Sequence, residues 1–181
     1  MKRHFALLLL SALGTALLSG ATLEQLSLTS MIAKSTAIVR AKVAGSSVLA
    51  SGPVIYTHYQ LQVSEQYKGT AQQSVDLTLP GGVAHGVQQL YSGVPQLHPG
   101  EEYVFFLWTG KSGMTQIIGL SQGLFSISEI GAANPSLTRL ASRETMIDGR
   151  TGQLVEDKTL RMTLARLKSQ IAAGLASGEQ K

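Results

Sequence analysis

The chain has 181 residues, 15 Lys and Arg against 11 Asp and Glu, ten aromatic side chains and no cysteine. That length suits one domain with a small appendage, and an apolar fraction of 44% supports a packed core and excludes a disordered chain. The absence of cysteine excludes a disulfide scaffold, a thiolate metal site and a cysteine nucleophile.

The N-terminus has the three parts of a secretory signal. Lys2, Arg3 and His4 make a positive start, Phe5 to Leu18 is an apolar run, and Ser19-Gly20-Ala21 places small residues before a cleavage point. Residues 1–21 are therefore expected to be a cleaved signal. A retained anchor is the alternative, but a 14-residue run is short of the roughly 20 that cross a hydrocarbon core. The mature chain is expected to be exported, either periplasmic or secreted, with no transmembrane segment. Residues 22–133 carry 5 basic and 6 acidic side chains, and residues 134–181 carry 8 and 5. The basic balance thus comes from leader and tail. Lys and Arg form no dense stripe interleaved with aromatics, so nucleic acid is not an expected partner.

Along the mature chain, residues 28–35 read as a short helix with Ser27 or Thr29 as N-cap. Val39, Ala41 and Val43 then alternate with Ile38, Arg40 and Lys42, the two-residue period of a half-buried strand. Residues 45–53 have loop composition. Ile55, Thr57, Tyr59, Leu61 and Val63 fall on one face of a long strand, with Tyr56, His58, Gln60, Gln62 and Ser64 on the wet face. After Lys68-Gly69, Val75, Leu77 and Leu79 alternate with Ser74, Asp76 and Thr78, which predicts a strand pair over 55–79.

Pro80-Gly81-Gly82 ends that pair, Val87 to Tyr91 predicts another short strand, and residues 92–101 are loop by composition. Tyr103 to Trp108 is apolar on both faces, so this strand is expected to be central, with a helix or second wall over its far side. Residues 115–120 and 124–127 complete the strands. The tail shows a hairpin over 146–155, its tip at Asp148-Gly149-Arg150-Thr151-Gly152. Leu160, Leu164, Leu167, Ile171 and Leu175 then make one stripe of an amphipathic helix, with Arg161, Arg166 and Lys168 between them. Docking of that stripe on the strands is the plain expectation; membrane-surface binding or dimerisation is the alternative.

The motif search yields no reaction centre. His58 lies on a wet strand face, while His85 and His98 occupy loops at opposite ends of the predicted 87–91 strand, with no HExxH or HxH spacing and no carboxylate cluster. No metal site and no cofactor are expected. Gly119-Leu120-Ser121-Gln122-Gly123 matches G-x-S-x-G as a string, but a strand follows it where a nucleophile elbow needs a helix, so a turn serine is the plainer reading. Glu101 and Glu102 are adjacent and face opposite sides of a strand, which prevents a general acid–base pair. Gly81-Gly82 to Gly86 lacks the Gly-Lys-Ser/Thr ending of a phosphate loop.

Several segments carry a resemblance. Leu26-Ser27-Leu28 through Ala37-Ile38-Val39-Arg40-Ala41-Lys42-Val43 resembles the opening helix and strand of a family of exported bacterial proteins. Val63 to Gly69, Leu79-Pro80-Gly81-Gly82, Gly93-Val94-Pro95 with Pro99 to Leu107, and Gly119 to Phe125 are similar to that family's later signatures. The order of strand, Lys-Gly and Gly-Glu-Glu-Tyr-Val-Phe is also similar to the netrin-like, OB-type barrel of tissue inhibitors of metalloproteinases. This resemblance implies a barrel. Those inhibitors chelate the protease zinc through an N-terminal cysteine, which this chain lacks, so no functional residue carries over.

The expected fold is therefore mainly β: a five- to seven-stranded OB-like or netrin-like antiparallel barrel over 22–133, with a short N-terminal helix. Residues 134–181 add a hairpin and a C-terminal amphipathic helix packed on the barrel. The expected role is a non-catalytic exported binding or accessory module. It would act on another envelope or secreted protein, an exported protease being one candidate, through Gly81, Gly82, His85, Tyr91, Pro95 and His98 of the 80–99 loops. The alternatives are a serine hydrolase using Ser121 with His85 or His98 as base, and a structural protein that dimerises through its C-terminal helix.

Overall fold

The structure, a computed structural model, describes residues 22–178. The expected signal, residues 1–21, lies outside the described residues. In chain order the elements are β1 (Thr22–Glu24), α1 (Leu28–Lys34), β2 (Ala37–Ser51), β3 (Val54–Lys68), β4 (Ser74–Pro80), β5 (Gly82–Ala84), β6 (Val87–Gln89), β7 (Glu102–Thr109) and β8 (Thr115–Ile117). A 3-10 turn (Leu120–Gly123) follows, then β9 (Leu124–Ser128), β10 (Ser136–Arg139), β11 (Thr145–Ile147), β12 (Leu154–Val155), β13 (Leu160–Thr163) and α2 (Leu164–Gly178). The protein is mainly β with two helices, one at the C-terminal end. None of its described helices is long and apolar enough to cross a membrane.

The main sheet has eight strands, ordered β13-β10-β9-β7-β2-β3-β4, with β8 paired to the end of β7. Every ladder in it is antiparallel. The sheet curls until β8 lies beside β4, but the two exchange no ladder hydrogen bonds, so it stays open. Two small sheets flank it: β1-β11-β12, where β1 runs parallel to β11, and the β5-β6 hairpin.

The alternation of side chains explains the curl. Val39, Ala41, Leu61, Leu77, Phe105 and Ile117 point into the concave side and form one core. Ile38, Val104, Phe106, Phe125 and Leu137 point outward and meet Met31 and Ile32 of α1 and Leu164, Leu167 and Ile171 of α2. Strand β7 is buried on both faces, as its unbroken apolar run requires. The α2 stripe is spent on this internal contact.

Three expectations are corrected. Ile38 is fully buried, because α1 and α2 cover a face that alternation alone reads as wet. Residues 45–51 are strand instead of loop: β2 and β3 form a hairpin of 15 residues per arm around Gly52-Pro53. Its Gly-Ser composition carries no period, and the pairing partner in β3 holds it extended. Leu160 belongs to β13, which pairs with β10, so the helix starts at Leu164. There Asn134 Oδ1 accepts from Ala165 N–H at 3.0 Å and Thr163 Oγ1 from Arg166 N–H at 3.3 Å, satisfying the first turn. The expected Ser27 cap is present on α1, with its Oγ accepting from Ser30 N–H at 3.0 Å.

Val43 still donates to Glu101 C=O and accepts from Gly100 N–H on the β7 side (2.9 and 2.8 Å), but beyond it β2 has no hydrogen-bonded partner on that side among the described residues. The β2–β7 ladder ends at Lys42–Glu102, while β2–β3 pairing continues to Ser51–Val54.

Candidate functional site

The β5-β6 hairpin is set against the far half of β2-β3 by two glycines. Gly81 N–H donates to Ile55 C=O at 2.7 Å, and Thr57 Oγ1 donates to Gly81 C=O at 2.7 Å. Gly82, at φ +138°, crosses so closely that a Cβ there would sit 2.8 Å from Thr57 Oγ1 and 3.0 Å from Val48 Cγ1. No other residue fits that crossing. The hairpin then reverses through His85 and Gly86, both at positive φ (51° and 76°), the backbone of a two-residue type I′ turn.

Gln89 fastens the hairpin. Its Oε1 accepts from Ile55 N–H at 2.8 Å and its Nε2 donates to Pro53 C=O at 2.7 Å. Tyr91 O–H reaches the same Oε1 at 3.4 Å. Gln89 is a residue that sequence reading missed, because a glutamine between two loops signals nothing until the β2-β3 turn is folded beside it.

Between this hairpin and the irregular run 94–98 lies a cleft of about 350 Å³, the lower end of the small-ligand range. Thr57, Tyr59 and Leu79 line its strand side. Leu97 is buried in the concave core and holds the 94–98 run in place. Of the residues singled out from sequence, Gly81, Gly82, Tyr91, Pro95 and His98 line this one cleft. His85 does not; it is exposed at the hairpin turn. Ser121 sits in the 3-10 turn and is not part of the cleft that holds His98. His58 lies elsewhere, its Nδ1 3.2 Å from Asp76 Oδ1 and 3.3 Å from Thr78 Oγ1.

No residue that lines the cleft carries a formal charge, and Glu144 stands outside it against Ser92. Residues 43–64 and 77–100 contain no Asp, Glu, Lys or Arg. Val48, Leu49, Val83, Val87, Leu90 and Tyr91 are all exposed there. Amides, hydroxyls and apolar surface are the recognition chemistry on offer.

Charged groups gather at the other end. Arg40 joins Glu65 (3.2 Å) and Glu102 (2.9 Å), and Lys168 of α2 pairs with Glu65 and stands over the Tyr67 ring. Burial raises the Glu65 carboxyl, but hydrogen bonds and attraction from Lys168 and Arg40 outweigh it and hold the group below its usual range. Arg139 and Asp157 form a bidentate pair at 2.8 Å, with side chains 5% and 2% exposed. Ser142 N–H also donates to Asp157 at 2.7 Å, and Gln25 Nε2 does so at 3.4 Å. Gln122, buried, accepts from Leu26 N–H at 2.8 Å and donates to Glu24 C=O at 3.0 Å. These contacts hold the N-terminal strand and the tail to the sheet. Among the described residues no three His, Cys, Asp or Glu side chains are placed to hold a metal ion.

Comparison with family models, with curated proteins and with solved structures gives no match.

Proposed function

We propose that the protein is a non-catalytic exported binding module that engages another envelope or secreted protein through the 80–98 cleft. The observation that carries this reading is the convergence of Gly81, Gly82, Tyr91, Pro95 and His98 on one concave, uncharged surface rimmed by exposed apolar side chains. A rigid β scaffold presenting loops is a common platform for recognition. The curled sheet, with β8 beside β4, supports kinship with OB-like or netrin-like barrels, and an exported protease is one candidate partner. The leader-like N-terminal sequence supports export.

The test compares partners captured from envelope extract by the exported chain and by a Val83→Ser/Leu90→Ser/Tyr91→Ser variant, with a photo-crosslinker at position 96. One protein crosslinked by the native surface and lost with the variant is the expected result. Identical sets from both would remove the cleft from the account. The hydrolase alternative draws no support from the cleft, since Ser121 and His85 lie outside it.

A further inference from the structure

If the cleft is a binding site, backbone and charge specify what it takes. Strand β6 pairs with β5 alone. Across a two-residue turn the flanking residues Ala84 and Val87 face each other through their hydrogen-bonding groups, as do Gly82 and Gln89. Gln88, between them, therefore turns its N–H and C=O away from β5. On the opposite wall, the N–H and C=O groups of Gln96 and Leu97 make no hydrogen bond to the rest of the described chain, while the Leu97 side chain is anchored in the core. Each wall thus offers backbone donors and acceptors that a strand can satisfy.

Charge narrows the choice. A Lys or Glu brought into this cleft would lose water and meet no charged side chain on its lining. We propose that the cleft takes an extended, uncharged peptide segment of the partner protein, hydrogen-bonded to Gln88 on one side and to the Gln96–Leu97 backbone on the other. Alternate side chains of that segment then point toward Tyr59 and Leu79, which gives strand addition its side-chain selectivity.

The probe is the blocked pentapeptide acetyl-Ser-Val-Ser-Val-Ser-amide, titrated into the isotope-labelled exported chain and followed by backbone amide shifts. Saturable shifts on residues 57–59, 79–83 and 88–98 are expected, with affinity changing less than about twofold between low and high salt. Replacing the valines, whose side chains suit the Tyr59 and Leu79 floor, with Lys or Glu is expected to weaken binding by about tenfold or more. N-methylating both valines, which removes the donors of one strand edge, should abolish it. Gln88→Pro removes the outward N–H without costing a β5–β6 hydrogen bond and is expected to weaken the native probe by a similar factor, whereas Gln88→Ala, which loses the side chain and keeps the N–H, is expected to bind it nearly as the native chain does. Equal binding of the charged or methylated peptides, shifts elsewhere, or no saturation up to millimolar probe each overturns the proposal. So does maltohexaose binding at the same residues in place of the peptide. Cleft-dependent partner capture without peptide binding would reject strand addition and leave the proposed role standing; loss of cleft dependence would reject both.

Discussion

His85 illustrates how a residue that looks chemical can be conformational. Its φ of 51° places it at the first central position of the β5-β6 turn, where Asn and Gly are preferred and β-branched residues are strained. His85→Asn is expected to keep or raise stability by a few tenths of a kcal/mol, and His85→Val to lower it by about 1–2 kcal/mol. Neither should alter partner capture beyond that loss; denaturant unfolding alongside capture checks both. Asp157 is the opposite case, a sparse charge with a large structural role. Burial pushes its carboxyl up, but hydrogen bonds from Arg139 and Ser142 hold it below the usual 3.8. The unfolded chain therefore takes up this proton more readily than the folded one. The pair's contribution is complete above pH 3.8 and is lost as pH falls through the lower, folded-state value. Asp157→Asn leaves Arg139 buried without its counter-charge, an expected cost of about 3–5 kcal/mol. A urea series from neutral to acid pH should show the variant's deficit shrinking below pH 4.

At the scale of elements, legibility followed periodicity. The long strand 55–68 and the central strand 102–109 announce themselves by alternation and by an unbroken apolar run. The far half of β2 was illegible because Gly45-Ser46-Ser47 carries no pattern, and its extension comes from cross-strand pairing with Tyr59 and His58. Leu160 misled because spacings of four and three suit a helix, while Pro135 C=O and Thr163 fix its start at Leu164. The cleft was legible as a set of loop residues and illegible as a shape, since Gln89 and the Gly82 crossing act through partners 25 or more positions away. The docking of α2 is testable at this scale. Leu167 and Ile171 are buried against Ile38 and Phe106, so Leu167→Ala is expected to cost about 2–5 kcal/mol. Sedimentation of the native chain should show no assembly that depends on this stripe, because the sheet already occupies it.

Across the whole molecule, charge is segregated. Arg40, Glu65, Glu102 and Lys168 join helix to sheet at one end, and the lining of the cleft carries no formal charge. Partner association is therefore expected to be slow to moderate and nearly independent of ionic strength, in contrast to electrostatically steered complexes whose on-rates fall steeply with salt. Stopped-flow association at several salt concentrations measures it directly.

The unpaired flank of β2 from Gly45 to Ser51 has a price in solution behaviour. It is a bare template for copies of itself, lacking the lysines that commonly guard such margins. In concentrated solution, light scattering should rise through edge-to-edge stacking of hairpins, and a single gatekeeper charge, Ser47→Lys, should suppress it while leaving the fold intact.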